Sequence, residues 1–240
     1  MVFDDGSVEE VTFPENTPAD NLSETTVTAE IHEDGSLTGW YDELNLGSTQ
    51  YRLRGALSQD FSQKDLQRVA DAVASSVIEG AVGDSLQVFD GRDFDAEPRL
   101  RVWVRAERAA RRNGSSGYIL PVPLTTLGSP TLLAQLERER ETRRYPIDVG
   151  EVVGPITSVT RLELTLPEGW TAELPESVHA DSRFGTYASE YTRDGRVVRL
   201  ERRVSGREGT APKEAIGELI DWLRVAAADD IGFIALKPGA

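Results

Sequence analysis

Residues 24–46 read ETTVTAEIHEDGSLTGWYDELNL, and this stretch decides the fold class. From Glu24 to His32, Val27, Ala29 and Ile31 alternate with Thr26, Thr28 and Glu30, which is the period of a strand buried on one face. Asp34-Gly35 supplies the positive-φ positions of a tight turn, and Ser36 to Leu46 returns with Trp40, Tyr41 and leucines. The stretch is a β-hairpin with one wet and one dry face. The same logic recurs downstream, where Arg183 to Thr192 and Arg196 to Ser205 flank Asp194-Gly195 and place Val198, Leu200 and Val204 on a buried face.

Between the hairpins the period changes. From Ser62 to Glu79, Leu66, Val69, Ala70, Val73, Ala74, Val77 and Ile78 recur at three and four residues, one apolar stripe of a helix. Ser62 with Asp65 resembles a capping box, and Gly80 sits where a left-handed cap ends a helix. Strands follow at Ser85–Phe89, at Leu100–Val104 and at Tyr118–Val122, and Ser129-Pro130 opens a short helix with Leu132, Leu133 and Leu136. Leu162, Leu164 and Leu166 alternate again. After Pro212 a second helical stripe runs through Ile216, Leu219, Ile220, Leu223, Ala226 and Ala227, before a closing strand at Gly232–Leu236. The expectation is a mainly β (α+β) protein of two β-sandwich-like lobes, each with a covering helix. Residues 1–20 would be a hairpin and linker, 21–140 the first lobe and 141–240 the second; a single continuous domain is the alternative.

Composition removes several function classes. The 240 residues hold 26 Lys+Arg against 41 Asp+Glu, a net charge of −15, which opposes the electrostatic term that dominates nucleic-acid affinity. DNA, RNA and anionic lipid are therefore not expected as partners. No apolar run approaches the ~18 residues of a membrane span. There is no cysteine, so thiol nucleophiles, disulfides and Cys-ligated metals are excluded. Met1-Val-Phe-Asp-Asp-Gly has neither the basic nor the apolar segment of a signal peptide.

The chemistry-bearing candidates are few. His32 and His179 lie far apart, neither at metal-ligand spacing, and no Gly-x-Ser-x-Gly elbow accompanies them. In Asp90-Gly-Arg-Asp-Phe-Asp-Ala-Glu97, the side chains of Asp90, Asp93, Asp95 and Glu97 could wrap a calcium ion. Arg92 falls where a ligand is needed, however, and an acidic turn is the plainer reading. Gly114-Ser-Ser-Gly117 lacks the lysine of a phosphate loop. Trp40 and Trp103 are the aromatic candidates for a ligand platform, Trp103 standing between Arg101 and Arg105.

Several motifs together carry a resemblance: Arg143-Arg-Tyr-Pro-Ile147, Leu162-Glu-Leu-Thr-Leu-Pro-Glu-Gly-Trp170, Phe184-Gly-Thr-Tyr187 and Val198-Arg-Leu-Glu-Arg-Arg203. With them the chain resembles the C-terminal region of bacterial exported transglutaminase-like proteins, in which a papain-like core lies between β-rich domains of unknown function. Asn21 to Gly39 is similar to the stretch that follows that core, and Val2–Val11 would be a remnant of the core's last hairpin. The family's Cys-His-Asp triad maps onto nothing in this sequence. The resemblance implies a non-catalytic region without cofactor, exported to the periplasm or beyond. Its partners would be an upstream core of the same polypeptide and an envelope protein or carbohydrate. A scaffold of that kind should show an exposed apolar face; an independent carbohydrate- or peptide-binding module should show a polar surface with an aromatic cleft.

Overall fold

The computed structural model describes residues 17–57, 62–89, 93, 95–114, 117–122 and 129–239; the hairpin read at Val2–Val11 lies outside them. The strands and helices are β1 (Leu22–Ile31), β2 (Leu37–Asn45), α1 (Thr49–Leu57), α2 (Gln63–Val77), β3 (Val82–Phe89), β4 (Arg99–Ala106), β5 (Arg111–Asn113), β6 (Gly117–Pro121), α3 (Pro130–Glu139) and β7 (Ile147–Asp148). There follow α4 (Val149–Val152), β8 (Thr157–Thr165), β9 (Thr171–Glu173), β10 (Val178–Ser182), β11 (Gly185–Asp194), β12 (Val197–Gly206), β13 (Thr210–Ala211), α5 (Ile216–Asp230) and β14 (Phe233–Lys237).

Both hairpins form. In the first, Ile31 pairs with Leu37 and the His32 amide bonds the Ser36 carbonyl at 2.8 Å, so the loop holds three residues, Glu33, Asp34 and Gly35. Gly35 takes φ +85°, where a side chain is strained. In the second, Asp194 pairs with Val197, so the two loop residues are Gly195 and Arg196, one position later than the Asp-Gly pair suggests. Alternation then buries Val27, Ala29, Ile31, Leu162, Leu164, Val198 and Leu200 on one side, each worth about 1.5–3 kcal/mol where the side chain is large. Ser62 caps α2 as read, its hydroxyl receiving the Asp65 amide while Asp65 reaches back.

These strands join one eight-stranded sheet in the order β10-β11-β12-β8-β1-β2-β4-β3. The join between the halves is β1 against β8, parallel from Leu22↔Thr157 to Glu30↔Thr165. The two stretches read as separate lobes, 21–140 and 141–240, are thus hydrogen-bonded to each other over nine residue pairs. A four-stranded sheet, β5-β6-β14-β9, stacks on the dry face, Leu120, Ile234 and Leu236 meeting the leucines and valines of the large sheet. It too mixes halves, since β14 from the chain's end pairs with β6. A second apolar cluster lies where α3 and α5 cover Phe184, Tyr187 and Val204. The protein is mainly β with a few helices, an α+β fold. No helix among the described residues is long and apolar enough to cross a membrane.

Candidate functional site

A dense group of ionisable side chains sits inside the protein. Position 202 falls on the dry face of β12, between Leu200 and Val204, and is occupied by arginine with no solvent exposure. Its Nε donates to Asp229 Oδ2 at 2.8 Å, and Nη2 donates to the Asp229 carbonyl at 3.0 Å and to the Tyr191 hydroxyl at 3.1 Å. Nη1 lies 3.3 Å from Asp230 Oδ1. Tyr187 and Tyr191, four residues apart on β11 and so on one face, both donate to the Asp229 carboxylate, at 2.5 and 3.0 Å. Burial pushes the Tyr191 hydroxyl up to about 12, only partly countered by Arg202. Burial, reinforced by the bond to Asp229, raises Tyr187 as well. Both remain neutral donors across the physiological range. A guanidinium, two carboxylates and two phenols are closed from solvent and clasp the last turn of α5 to the sheet.

The other face of the large sheet is open and polar. Read across the strands, Thr192, Arg199, Glu163, Thr28, Trp40, Trp103 and Ser85 stand opposite one another in one row. Its charges neutralise locally: Arg199 meets Glu163 at 3.2 Å, Arg161 meets Glu24 at 2.8 Å and Glu201 at 3.0 Å, and Arg101 meets Asp42 at 3.1 Å. Partial burial raises the Asp42 pKa against the pull of Arg101 and Arg99. A shallow groove of about 330 Å³ runs over Thr26, Thr28, Arg161 and Glu201.

Trp40 and Trp103, distant in sequence, are brought into direct cross-strand register, their rings 4.9 Å apart and 73° from parallel. The Arg101 guanidinium lies 4.5 Å over the Trp40 ring, so part of that aromatic surface is already taken. The acidic turn is gripped from below. Arg54 of α1 donates to the Asp93 and Ala96 carbonyls at 2.6 and 2.5 Å, while the Asp93 carboxylate receives the Asp95 amide and Glu97 pairs with Arg99. Two carbonyls that a cation would seek therefore face a guanidinium; Asp90 lies outside the described residues. Among the described residues no group of three metal-ligand side chains converges. His32 Nε2 is 2.9 Å from the Thr38 hydroxyl across the hairpin end, and the nearby Asp34 is engaged by Ser36, whose hydroxyl bond holds that carboxyl below its usual range. His179 is exposed on β10.

The apolar alternation of β12, Val198, Leu200 and Val204, passes over Arg202, which stands in the same phase. The signal was there: an arginine in phase with Val198, Leu200 and Val204 needs a buried counter-charge.

The fold and these clusters define an α+β protein whose grouped ionisable residues hold its own elements together. Residues 118–230, less than half of the chain, match the family described as "Domain of Unknown Function with solved-structure structure (DUF3858)". That span, from β6 to the end of α5, contains the Arg202 cluster and half of the large sheet. No curated protein matches the chain. Among solved structures, it is similar to "Structure of yeast LTA4 hydrolase in complex with Bestatin", at 8% identity and a TM-score of 0.32. That alignment covers 96% of this chain and 32% of the hydrolase chain, so this chain spans about a third of its length.

Proposed function

We propose that the chain is a non-catalytic scaffold and interaction region of an exported transglutaminase-like protein, working beside a catalytic core carried by the same polypeptide. The observation that carries the reading is an exposed apolar edge. Val88 and Phe89, 40% and 43% exposed, end the outermost strand of the large sheet. They stand at the end of the sheet where the chain enters β1, since Ser23, Asn45, Arg99 and Phe89 fall at the same ends of their pairings. Exposed apolar side chains beside unpaired backbone suit packing against other protein. The burial of Arg202, Asp229, Tyr187 and Tyr191 supports the non-catalytic part, because groups closed to solvent and fully engaged with one another hold structure rather than meet substrate.

An immunoblot of fractionated cells of the source organism, with antibody raised against this chain, tests the reading. The expected result is an envelope-fraction band well above 26.4 kDa. A cytosolic band at 26.4 kDa would overturn it.

One observation favours a second reading, a carbohydrate-binding module. The Trp40–Trp103 pair adjoins a groove lined by hydroxyls and neutralised ion pairs, the mixture of apolar plane and hydrogen-bonding rim that suits a neutral sugar. Binding of soluble polysaccharides that Trp40→Ala weakens would support it.

A further inference from the structure

The two edges of the eight-stranded sheet are finished differently. At the β10 edge, Asp181 pairs with Arg207 at 2.6 Å, the Ser182 hydroxyl bonds Glu218 of α5, and that helix packs alongside. At the β3 edge the cover stops partway. Helix α2 lies against Gly83 so closely that a Cβ there would stand 2.5 Å from the Ala70 carbonyl. Side chains of α2 also take the backbone of that residue: Gln67 donates to the Gly83 carbonyl at 2.7 Å and Asp71 accepts the Gly83 amide at 3.1 Å.

Beyond Gly83 nothing among the described residues pairs with the outer side of β3. The pairing register of β3 shifts at Asp84, between Gly83 and Ser85, and past that bulge Ser85-Leu86-Gln87-Val88-Phe89 is exposed except for half-buried Leu86 and carries no charge and no proline to keep an open edge from pairing. A strand edge in this state offers a row of free amides and carbonyls, the substrate of β-strand addition.

We infer that Ser85–Phe89 is a docking edge that takes an extended strand from a partner polypeptide as a ninth strand of the sheet. The proposal rests on the interaction reading above and names its site. The occupant's chemistry follows from what it must lie beside. On the dry side it meets Leu86 and Val88, on the wet side Ser85 and Gln87 with Phe89 at the strand's end, so it alternates apolar with uncharged polar residues and carries one apolar side chain beside Phe89. The cavity of about 480 Å³ at the strand's end, bounded by Phe89, Arg99 and Arg101, has each arginine matched by an acid, Glu97 or Asp42, and so offers no net charge either. A second copy of this chain fits less well: five-residue pairing buries far less than the roughly 800 Å² per partner of a standard interface. Two copies at −15 also repel.

The test uses the whole chain and a labelled hexapeptide, Thr-Val-Thr-Val-Thr-Val with a Gly-Lys tail, followed by fluorescence anisotropy. Saturable binding is expected, about tenfold or more weaker when alternate peptide amides are N-methylated and when Val88→Lys charges the edge, with circular dichroism unchanged. Amide exchange should slow at Ser85–Phe89 and not on the wet face around Trp40. Absence of saturable binding, or binding that survives both N-methylation and Val88→Lys, overturns the proposal. Concentration-dependent dimers in sedimentation, abolished by Val88→Lys, would overturn the partner strand in favour of a second copy. Each of these outcomes is independent of the cell-fraction result, so loss of the docking edge leaves the scaffold reading to stand or fall by that blot.

Discussion

Arg202 shows how one residue can settle the position of a helix 27 residues later. Its guanidinium is worth keeping only because Asp229, Asp230 and two tyrosines satisfy it; an unpaired charge in that place costs several kcal/mol. Asp229→Ala, which strands Arg202 and two phenols, is expected to lower the urea-unfolding free energy by about 3–5 kcal/mol. The conservative exposed change Asp181→Asn, at a surface ion pair, should cost at most about 1 kcal/mol. The tyrosines add a pH signature. The folded-state pKa of Tyr191 is raised to about 12, above the ordinary value of 10.0, so the native state holds a proton that the unfolded chain releases. Stability from this source is full below pH 10 and falls as pH rises toward about 12, and the raised Tyr187 acts in the same sense. Urea midpoints measured from pH 8 upward should fall in that window and fall less in Tyr191→Phe. The site residues were only half legible for a physical reason: sequence gives the phase of a strand but not which distant helix brings the counter-charge.

Elements whose residues repeat were legible, and those defined by a partner were not. The stripe of α2, its Ser62 cap and the strand alternations are local, so each reads from a dozen residues. The N-cap contribution is testable, with Ser62→Ala expected to cost about 1 kcal/mol in thermal or urea unfolding. By contrast, β7, β9 and β13 are too short for a period to show, α1 (TQYRLRGAL) has no clean apolar stripe, and the Glu33–Gly35 loop exceeds a two-residue turn because His32 and Ser36 still pair. The seating of α2 on β3 rests on the absence of a side chain at Gly83. Gly83→Ala would drive a methyl group into the Ala70 backbone, and a loss of about 1–3 kcal/mol is expected, with faster amide exchange at Gln67 and Asp71.

At the scale of the molecule, the halves look alike in sequence, hairpin then helix then strand, which suggests two lobes. The parallel pairing of β1 with β8 joins them across more than 130 residues, and no local pattern announces it because a strand's edge partner leaves no mark on its alternation. One side of that shared sheet stays wet because the four-stranded sheet and the described helices pack on the other side, leaving ion pairs and threonines outward. It also makes both halves one cooperative body, on which a docking edge is rigidly presented. The direct measurement is urea unfolding followed separately in each half, using Trp40 and Trp103 in a variant with Trp170→Phe and Trp222→Phe, and Trp170 and Trp222 in a variant with Trp40→Phe and Trp103→Phe. Each variant's fluorescence should unfold at the same midpoint as its own far-UV circular dichroism, in a single transition. Two separated transitions, with the first-half tryptophans losing their signal while the second half stays folded or the reverse, would contradict a shared sheet.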